Sequence, residues 1–377
     1  MIYLDNAATT NYKPDCVVKA VLRAMTELPY NPNRSGRAAL QLQAEIEDLR
    51  GKIAATVNCR PDRVILTSGC TAGLNTAIIG TARRGHVLTT VTEHNSVLRT
   101  LAALNKKGVD VSFVPIDEQG NVIAEMAERM IRPDTYMLCI GNASNVTGKA
   151  QNLAPLGKFA HEHGLIFVVD CAQSVGYLPI DMKRDNIDIA VFGAHKGLHG
   201  IQGAGAMCLS DNVIVRPTVF GGTGTDSHLI EQPTALPEGL EAGTLPCPAL
   251  LGMSAALDWH KANNAQNVQH LRKYQRLLTD NLTSIANVKV YSAYNDSGIV
   301  SFNIAKLDSN FVADVLQEKF DIAVRGGLQC APLMHKALGT FNQGVVRASV
   351  SCVTTSDDCY RLLYAVDYIS RHVNDIL

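Results

Sequence analysis

The chain has 377 residues and a formal net charge of -1 at pH 7, with 46% hydrophobic and 18% charged residues. This length and balance predict a soluble globular protein built from a large domain and a smaller one. The sequence contains no strongly basic or acidic run and no apolar run of membrane-spanning length, so we expect neither nucleic acid nor a membrane as a partner.

Ten cysteines are scattered along the chain without a Cys-x-x-Cys pair or the spacing of zinc ligands, so we expect no metal site. Met1–Asp5 lacks the charged and apolar regions that mark a secretory signal peptide. We therefore expect a cytoplasmic protein whose thiols are reduced and are mostly small core residues.

The first part of the chain predicts two helices, a strand and a possible anion site. A short helix is expected at about Pro14–Leu28, and Leu42–Val57 shows the apolar spacing of an amphipathic helix. The strand Arg63–Thr67 leads into Ser68–Asn75, a Gly/Ser/Thr turn that opens an apolar helix. Free amides and the helix dipole at such a start favour phosphate, although a well-capped helix would have the same sequence. It is not a Walker A loop, because no Gly-Lys-Thr/Ser follows.

From residue 86 to residue 209 apolar strands and helices alternate, which predicts a mostly parallel sheet covered by helices on both faces. Strands are expected at His86–Val91, Asp110–Val114, Tyr136–Ile140, Leu165–Val169, Ile187–Phe192 and Gly205–Leu209, with helices from about Ser96, near Ala124–Met130 and near Leu153–His163. Polar loops follow three of the strands, at Thr92–Ser96, Asn142–Gly148 and Asp170. These loops should converge on one side of the sheet, where ligands bind.

Two charged residues at the ends of neighbouring strands point to one cofactor. Asp170 ends a buried apolar run, and Lys196 lies on a glycine-flanked turn after the next one. A buried lysine readily acquires a lowered pKa, which suits Schiff-base chemistry. An aspartate that pairs with a pyridinium nitrogen and a lysine that holds an aldehyde as an imine fit pyridoxal phosphate. On these two stretches alone, a surface lysine and a helix-capping aspartate fit equally well.

After residue 210 the alternation ends and a second unit is predicted. The Gly/Thr-rich segments Phe220–Ser227 and Leu240–Pro246 come first, and either could be a plain turn. One long helix is expected from near Pro248 and another through Val268–Leu282. The remaining expected elements are a strand from Val288, a strand Gly298–Ile304, a helix Phe311–Phe320, strands Ile322–Arg325 and Val345–Val350, and a helix from Asp357. We expect residues 15–255 to form the large domain and residues 256–377, with residues 1–14, the small α+β domain.

With these residues placed, the chain resembles the cysteine desulfurase branch of the class V aminotransferase family, which are fold-type I pyridoxal-phosphate enzymes. The motifs that carry the resemblance through their order and spacing are Tyr3–Thr10, Thr67–Thr71, Thr92–Asn95, Ser144–Gly148, Val169–Gln173, His195–Lys196, Glu241–Pro246, Arg325–Ala331 and Val346–Ser349. The resemblance covers nearly the whole chain. It implies an α/β fold with a large cofactor-binding domain, whose mostly parallel seven-stranded sheet lies between helices, and a smaller α+β C-terminal domain.

The resemblance also implies a role for each candidate site residue. Lys196 forms the internal aldimine and moves the substrate α-proton, Asp170 keeps the pyridine nitrogen protonated, and His94 stacks on the ring and can carry a proton. The cofactor is further held by Cys70, Thr71, Asn145, Gln173, Gly193, His195 and, from a second subunit, Thr244. The substrate is bound by Asn145, Arg325 and Arg347, and Arg347 clamps its carboxylate.

Cys330 is the residue that distinguishes a desulfurase from a transaminase. It lies in the short loop Ala323–Pro332, where its thiolate would attack the sulfur of L-cysteine and leave alanine and a persulfide. Cys171, the nearest competing thiol in sequence, should point away from the cofactor because side chains alternate along a strand. A homodimer is implied, and a sulfur-acceptor protein is a possible partner. The alternatives are a selenocysteine lyase, a cysteine β-lyase, an aminotransferase for another amino acid, and a non-catalytic sulfur-transfer scaffold.

Three positions depart from the pattern of the relatives. Gly193 stands where many relatives have a phosphate-binding serine, and Thr354 replaces an asparagine common after the substrate arginine. Gln329 precedes Cys330 where close relatives have histidine. A histidine could tune the thiol and a glutamine cannot carry charge, so activation of the thiolate is in question. The departures could mark a different substrate or a slower enzyme.

Overall fold

The computed structural model describes residues 1–225 and 228–373, so the predicted turn Phe220–Ser227 ends outside the described residues. The α-helices in this part of the chain are α1 Asp15–Thr26, α2 Arg37–Val57, α3 Cys70–Gly80, α4 Asn95–Asn105, α5 Ala124–Met130, α6 Leu153–Glu162, α7 Cys247–Ser284, α8 Ser309–Phe320, α9 Pro332–Ala337 and α10 Ser356–Arg371. The β-strands are β1 Ile2–Tyr3, β2 Val64–Thr67, β3 Gly85–Thr90, β4 Val109–Val114, β5 Thr135–Gly141, β6 Ile166–Asp170, β7 Ile189–Gly193, β8 Gly205–Leu209, β9 Val288–Val290, β10 Ile299–Ile304, β11 Ile322–Ala323 and β12 Val346–Ser349. None of the described helices is both long and apolar enough to cross a membrane.

A seven-stranded sheet with the order β2-β8-β7-β6-β5-β3-β4 forms the centre of the molecule. Strands β3 to β7 pair in parallel, and β8 runs antiparallel to both of its neighbours, β2 and β7. The predicted mostly parallel seven-stranded sheet is therefore confirmed. Because parallel strands share a direction, the residues that follow β5, β6 and β7 meet at one edge of the sheet.

Helices cover both faces of this sheet, which explains why its strands read as continuous apolar runs. Along β6 the side chains alternate between two cores: Phe167 and Val169 pack under α2, α6 and the start of α7, whereas Val168 packs under α3 and α4. The same alternation places Cys171 in the α2 and α6 core. Cys171 thus lies on the opposite face from Val168 and Asp170, as the sequence predicted.

The expectation of two helices after residue 247 was wrong, because α7 is one continuous helix of 38 residues. At 1.5 Å per residue it is about 57 Å long. Its first half packs in the core of the central sheet and its second half in the C-terminal core. The polar stretch between the two halves, residues 261–266, is largely exposed. The apolar periodicity disappears there although the helix does not end. The sequence pattern is therefore the same as that of two separate helices.

The C-terminal part is a smaller antiparallel sheet, β12-β10-β9, packed against α8, α10 and the second half of α7. The N-terminus joins it, because β1 pairs in parallel with β11 and the Ser349 backbone N–H donates to the Leu4 carbonyl. The division into residues 15–255 and residues 256–377 with 1–14 stays a proposal, and α7 crosses its boundary.

Candidate active site

A cavity of about 650 Å³ lies at the edge of the central sheet where β5, β6 and β7 end. Ten of the candidate site residues line it: Cys70, Thr71, His94, Asn145, Asp170, Gln173, His195, Lys196, Arg325 and Arg347. Gly193, Thr244 and Cys330 do not line it. Residues separated by most of the chain length therefore meet in one place, and the predicted convergence of the polar loops is confirmed.

Asp170 is a buried carboxylate held from one side. Its Oδ1 atom accepts a hydrogen bond from the backbone N–H of Ala172 (2.9 Å) and one from the Cys70 thiol (3.4 Å). Among the described residues no donor is bonded to Oδ2, so this oxygen is available to a ligand. Burial and the Asp170 charge raise the pKa of the Cys70 thiol well above its usual value, so Cys70 acts as a neutral donor.

Lys196 is half-buried and lies next to Asp170 on the cavity wall. Burial lowers the pKa of its amine, and the nearby Asp170 carboxylate partly opposes that shift. The glycine after it permits a close approach of two turns, since a Cβ at Gly197 would lie 2.4 Å from the Val175 carbonyl oxygen. The shift favours the neutral amine, which is the form that can accept a proton.

His195 and Gln173 each present a buried atom without a partner in the described part of the chain, Nδ1 and Oε1 respectively. Burial, together with the charges of Lys196 and Lys13, lowers the pKa of His195 to about 4, so its ring is neutral at pH 7. Gln173 is anchored through Nε2, which donates to the Ala7 carbonyl (2.9 Å). Because buried polar atoms are nearly always satisfied, both atoms indicate a polar ligand in the cavity.

His94 caps the start of α4 and faces the cavity. Its Nδ1 atom accepts from the backbone N–H of Ser96 (3.0 Å), which leaves Nε2 as the ring nitrogen that carries a proton when the ring is neutral. Burial lowers the pKa of His94, and the Asp170 charge opposes the shift. A neutral ring suits the stacking role that the resemblance implies.

Arg347 is the most deeply buried cation of the site, with a side chain that is 1% exposed. Its Nη2 atom lies 2.7 Å from Asp5 Oδ1, and its Nη1 atom donates to the Asn145 carbonyl (2.9 Å). Its Nε atom is buried without a partner among the described residues. The sequence did not predict the ion pair with Asp5, because Asp5 lies near the opposite end of the chain.

Cys330 lies in the loop between β11 and α9, in contact with the cavity-lining residue Arg325. The Arg325 Nη2 atom donates to Cys330 Sγ (3.3 Å), and the backbone N–H of Asn95 donates to the Cys330 carbonyl (2.7 Å). Gln329 and Cys330 both have positive φ angles, 43° and 60°, which residues other than glycine rarely adopt. The loop is therefore held in a conformation that its surroundings must maintain.

Gln329 does not contact the thiol, contrary to the idea that its missing charge weakens the activation of Cys330. Its Nε2 atom donates to the Val345 carbonyl (2.9 Å), and its Oε1 atom accepts from Nε2 of His335 (3.0 Å). The Nδ1 atom of His335 lies 2.8 Å from Thr340 Oγ1. Gln329 is thus a buried anchor of the loop, and the side chain that contacts the thiol is Arg325.

The other two departures and Thr244 also lie away from the cavity wall. A Cβ at Gly193 would lie 3.4 Å from the His195 ring, so the missing serine has room. Thr354 accepts from the Ser351 N–H (2.8 Å) and shapes a turn. Thr244 is exposed on its own chain.

Glu93 is a buried group near the site that sequence reasoning did not single out, although it lies in the Thr92–Asn95 motif. Its carboxyl accepts from the Thr90 hydroxyl, and its Oε2 atom has no partner in the described residues. Burial raises the pKa of Glu93 to about 8, so the carboxyl is mostly protonated at pH 7. No pattern in the sequence signals a buried neutral carboxyl.

Comparisons with known proteins agree with this geometry. The sequence model of the class-V aminotransferase family matches residues 2–362. A probable cysteine desulfurase of Methanothermobacter thermautotrophicus is 32% identical over 95% of this chain and 92% of its own length, and the cysteine desulfurase IscS of Edwardsiella ictaluri is 29% identical over 99% and 92%. The apo structure of a cysteine desulfurase from Thermococcus onnurineus has a TM-score of 0.90 at 27% identity and covers 98% of this chain and 94% of that one. The cysteine desulfurase CsdA of Escherichia coli has a TM-score of 0.86 at 27% identity, with coverage of 100% and 95%.

Proposed function

The chain belongs to the class V aminotransferase family, and on this premise we propose that it is a pyridoxal-phosphate-dependent cysteine desulfurase. It converts L-cysteine into L-alanine and retains the sulfur as a persulfide on Cys330. The similarity to cysteine desulfurases over nearly the whole chain supports this proposal. The observation that carries it is the Cys330 thiol, held beside a guanidinium that lines the same cavity as Lys196.

Pyridoxal phosphate fits the groups at the end of the sheet. The first residues of α3, Cys70 and Thr71, present helix-start amides to the cavity, which favours a phosphate. The unpartnered atoms of Gln173 and His195 offer hydrogen bonds to polar groups of the cofactor, and Asp170 offers a carboxylate oxygen to a protonated ring nitrogen. When bound, the cofactor supplies an aldehyde carbon and a ring that accepts electrons.

Lys196 and its neighbours perform the proton chemistry. Its lowered pKa makes the Nζ atom available both to bond to a carbonyl carbon and to accept the α-proton of the substrate. The Asp170 carboxylate stabilises a positive charge at the ring nitrogen. His94, whose Nε2 atom is free of the capping bond, would stack on the ring of the bound cofactor and could pass a proton.

Arg347 and Cys330 act on the substrate itself. Arg347 would bind the carboxylate of cysteine through its guanidinium, whose Nε atom has no partner among the described residues. The Cys330 thiolate attacks the substrate sulfur, so that one S–S bond forms and the C–S bond breaks. The electron pair of the C–S bond stays on the three-carbon fragment, which takes up protons and leaves as alanine. No external oxidant or reductant is required.

We also propose a homodimer in which Thr244 reaches the phosphate of the partner subunit. Thr244 is exposed on its own chain, and the nearby Glu241 is fixed by a buried ion pair with Arg50 at 2.7 Å. The persulfide would be passed to a sulfur-acceptor protein, and the protein would act in the cytoplasm.

Product analysis tests the proposal. Purified protein loaded with pyridoxal phosphate is incubated with L-cysteine, L-selenocysteine and a panel of other amino acids, and alanine, sulfide, selenide and keto acids are quantified. We expect alanine from L-cysteine together with protein-bound sulfur. Pyruvate with free sulfide would instead identify a β-lyase, alanine from selenocysteine alone a selenocysteine lyase, and a keto acid from another amino acid an aminotransferase. Cofactor binding without any turnover would identify a scaffold.

A further inference from the structure

Two arginine side chains line the same cavity. Arg325 and Arg347 form a cross-strand pair, with backbone N–O distances of 3.1 and 2.8 Å in the two directions, and both side chains line the cavity. Each positive charge disfavours the other, and the Arg325 charge contributes to the lowered pKa of Arg347 after the larger effect of burial. Such a pair needs negative charge nearby.

The two arginines differ in their partners. Arg347 has Asp5 at 2.7 Å, and this carboxylate balances its charge. No carboxylate in residues 1–225 or 228–373 lies within ion-pair distance of Arg325. The side-chain atom that Arg325 contacts is the sulfur of Cys330, 3.3 Å from Nη2. A thiolate at that position would supply the missing negative charge.

The loop conformation keeps the sulfur at this position. Gln329 and Cys330 have positive φ angles, and such backbone persists only when its surroundings fix it. The Asn95 N–H bonds to the Cys330 carbonyl at 2.7 Å, and Asn145 Nδ2 bonds to the Gln329 carbonyl at 2.6 Å. The Gln329 side chain is bonded to the Val345 carbonyl. The backbone that carries the sulfur is therefore held in place beside Arg325.

We propose that Arg325 is the counter-ion of the Cys330 sulfur and does not serve mainly as a ligand of the substrate carboxylate. It pairs with the thiolate before the attack, after the thiol has released its proton to solvent, and with the persulfide afterwards. This inference rests on the proposed function and adds a catalytic residue to it. Carboxylate binding is then left to Arg347.

Alkylation of Cys330 by iodoacetamide tests this pairing, because the thiolate is the form that reacts. The holoprotein is treated at pH 7, and the rate at each cysteine is followed by mass spectrometry. We expect Arg325→Gln to slow the reaction at Cys330 about 10-fold, the effect of one charge-assisted hydrogen bond. Arg325→Lys keeps the positive charge and should recover most of the rate. The exposed Cys16 is an internal reference whose rate should not change.

Steady-state kinetics with L-cysteine separate the two roles of Arg325. We expect Arg325→Gln to lower kcat about 10-fold and to change KM less than about 3-fold. An unchanged alkylation rate together with a KM raised 10-fold or more would overturn the proposal and make Arg325 a carboxylate ligand. The alkylation assay needs no turnover. A wild-type protein that forms no persulfide would therefore refute the desulfurase proposal while leaving the pairing of Arg325 with Cys330 measurable.

Discussion

The cofactor half and the thiol half of the site are built in different ways. Asp170 ends β6 and Lys196 follows the adjacent parallel strand β7, and Asp170 is oriented by the backbone of Ala172, two residues away. The backbone of Cys330 is held by Asn95 and that of its neighbour Gln329 by Asn145, and both are distant in sequence. The first half is therefore built on the ends of adjacent strands, with the Cys70–Asp170 and Gln173–Ala7 hydrogen bonds added to it. The second half depends on a loop whose backbone is held by distant segments.

This difference predicts two classes of variant. Changes in the cofactor half should remove turnover together with the signature of the bound cofactor. Changes in the thiol half should leave the cofactor bound and affect only the step in which sulfur moves. The following variants test that separation, from the largest expected effect to the smallest.

Lys196→Ala should abolish turnover, because both the covalent link to the cofactor and the base are lost. We expect a decrease in alanine formation of at least about 10³-fold. Borohydride treatment of the wild-type protein should fix the cofactor on Lys196, and mass spectrometry should find no such adduct in the variant. Lys158→Ala, at an exposed position, is the control, and full turnover by Lys196→Ala would refute the assignment.

Cys330→Ser should separate the two halves. We expect the visible absorption of the bound cofactor and the binding of cysteine to remain, while alanine release falls at least about 100-fold, because the hydroxyl is a poor nucleophile. Absorption spectra and alanine assays measure the two effects. Cys16→Ser is the matched control at an exposed cysteine. Unchanged cysteine turnover would favour direct β-elimination.

Arg347→Lys should act on substrate binding. Lysine keeps the charge but loses the planar fork that fits a carboxylate and the carbonyl of Asn145. We expect KM for L-cysteine to rise about 10-fold, with a smaller decrease in kcat. Arg371→Lys, at an exposed position, is the control. A raised KM without any change in cofactor affinity would place Arg347 with the substrate, whereas a loss of cofactor would place it in the other half.

His335→Gln should alter the pH dependence of stability. Burial lowers the pKa of His335 from 6.5 to about 4 in the folded protein, so the unfolded chain binds more protons in that window. The stability gained from the neutral buried ring is complete above pH 6.5 and is lost as the pH falls towards 4, by about 1.4 kcal/mol per pH unit. The free energy of unfolding, measured with urea between pH 4.5 and 7, should depend less steeply on pH in the variant. The difference in slope should correspond to about one bound proton. The exposed His161→Gln should retain the wild-type slope, and an unchanged slope in His335→Gln would contradict the neutral burial of this ring.

Gly193→Ser should have the smallest effect, a cofactor bound up to about 10-fold more tightly if the hydroxyl reaches the phosphate. Gly193→Ala is the matched control, because it adds the Cβ without the hydroxyl. Equilibrium titration of the apoprotein with pyridoxal phosphate measures the affinities. Equal affinities of all three proteins would mean that another group already occupies this place.

The sequence predicted the cofactor half better than the thiol half, for a physical reason. Strand ends, helix starts and glycine turns depend on residues that are close together in sequence. Asp170, Lys196 and the start of α3 could therefore be placed from the sequence. The position of the Cys330 loop could not, because its backbone bonds to Asn95 and Asn145 depend on how distant segments pack. Gln329 was interpreted as a neighbour of the thiol, and it is a buried anchor bonded to His335.

The long-range ion pairs and the length of α7 could not be predicted from the sequence, for related reasons. The ion pair between Asp5 and Arg347 joins the two ends of the chain, and no local sequence pattern predicts it. In α7 the exposed polar middle interrupts the apolar periodicity, although the backbone continues as one helix. Apolar periodicity indicates which helix positions are buried, so it does not reveal a helical segment that is exposed between two cores.

Sulfur on Cys330 after a single turnover tests the central claim most directly. Holoprotein is mixed with one equivalent of L-cysteine per subunit and quenched, and the peptide that contains Cys330 is analysed by mass spectrometry while free alanine is counted. The account predicts one added sulfur atom on Cys330 for each alanine released, and neither in Cys330→Ser. Alanine or sulfide formed while Cys330 carries no added sulfur would contradict it.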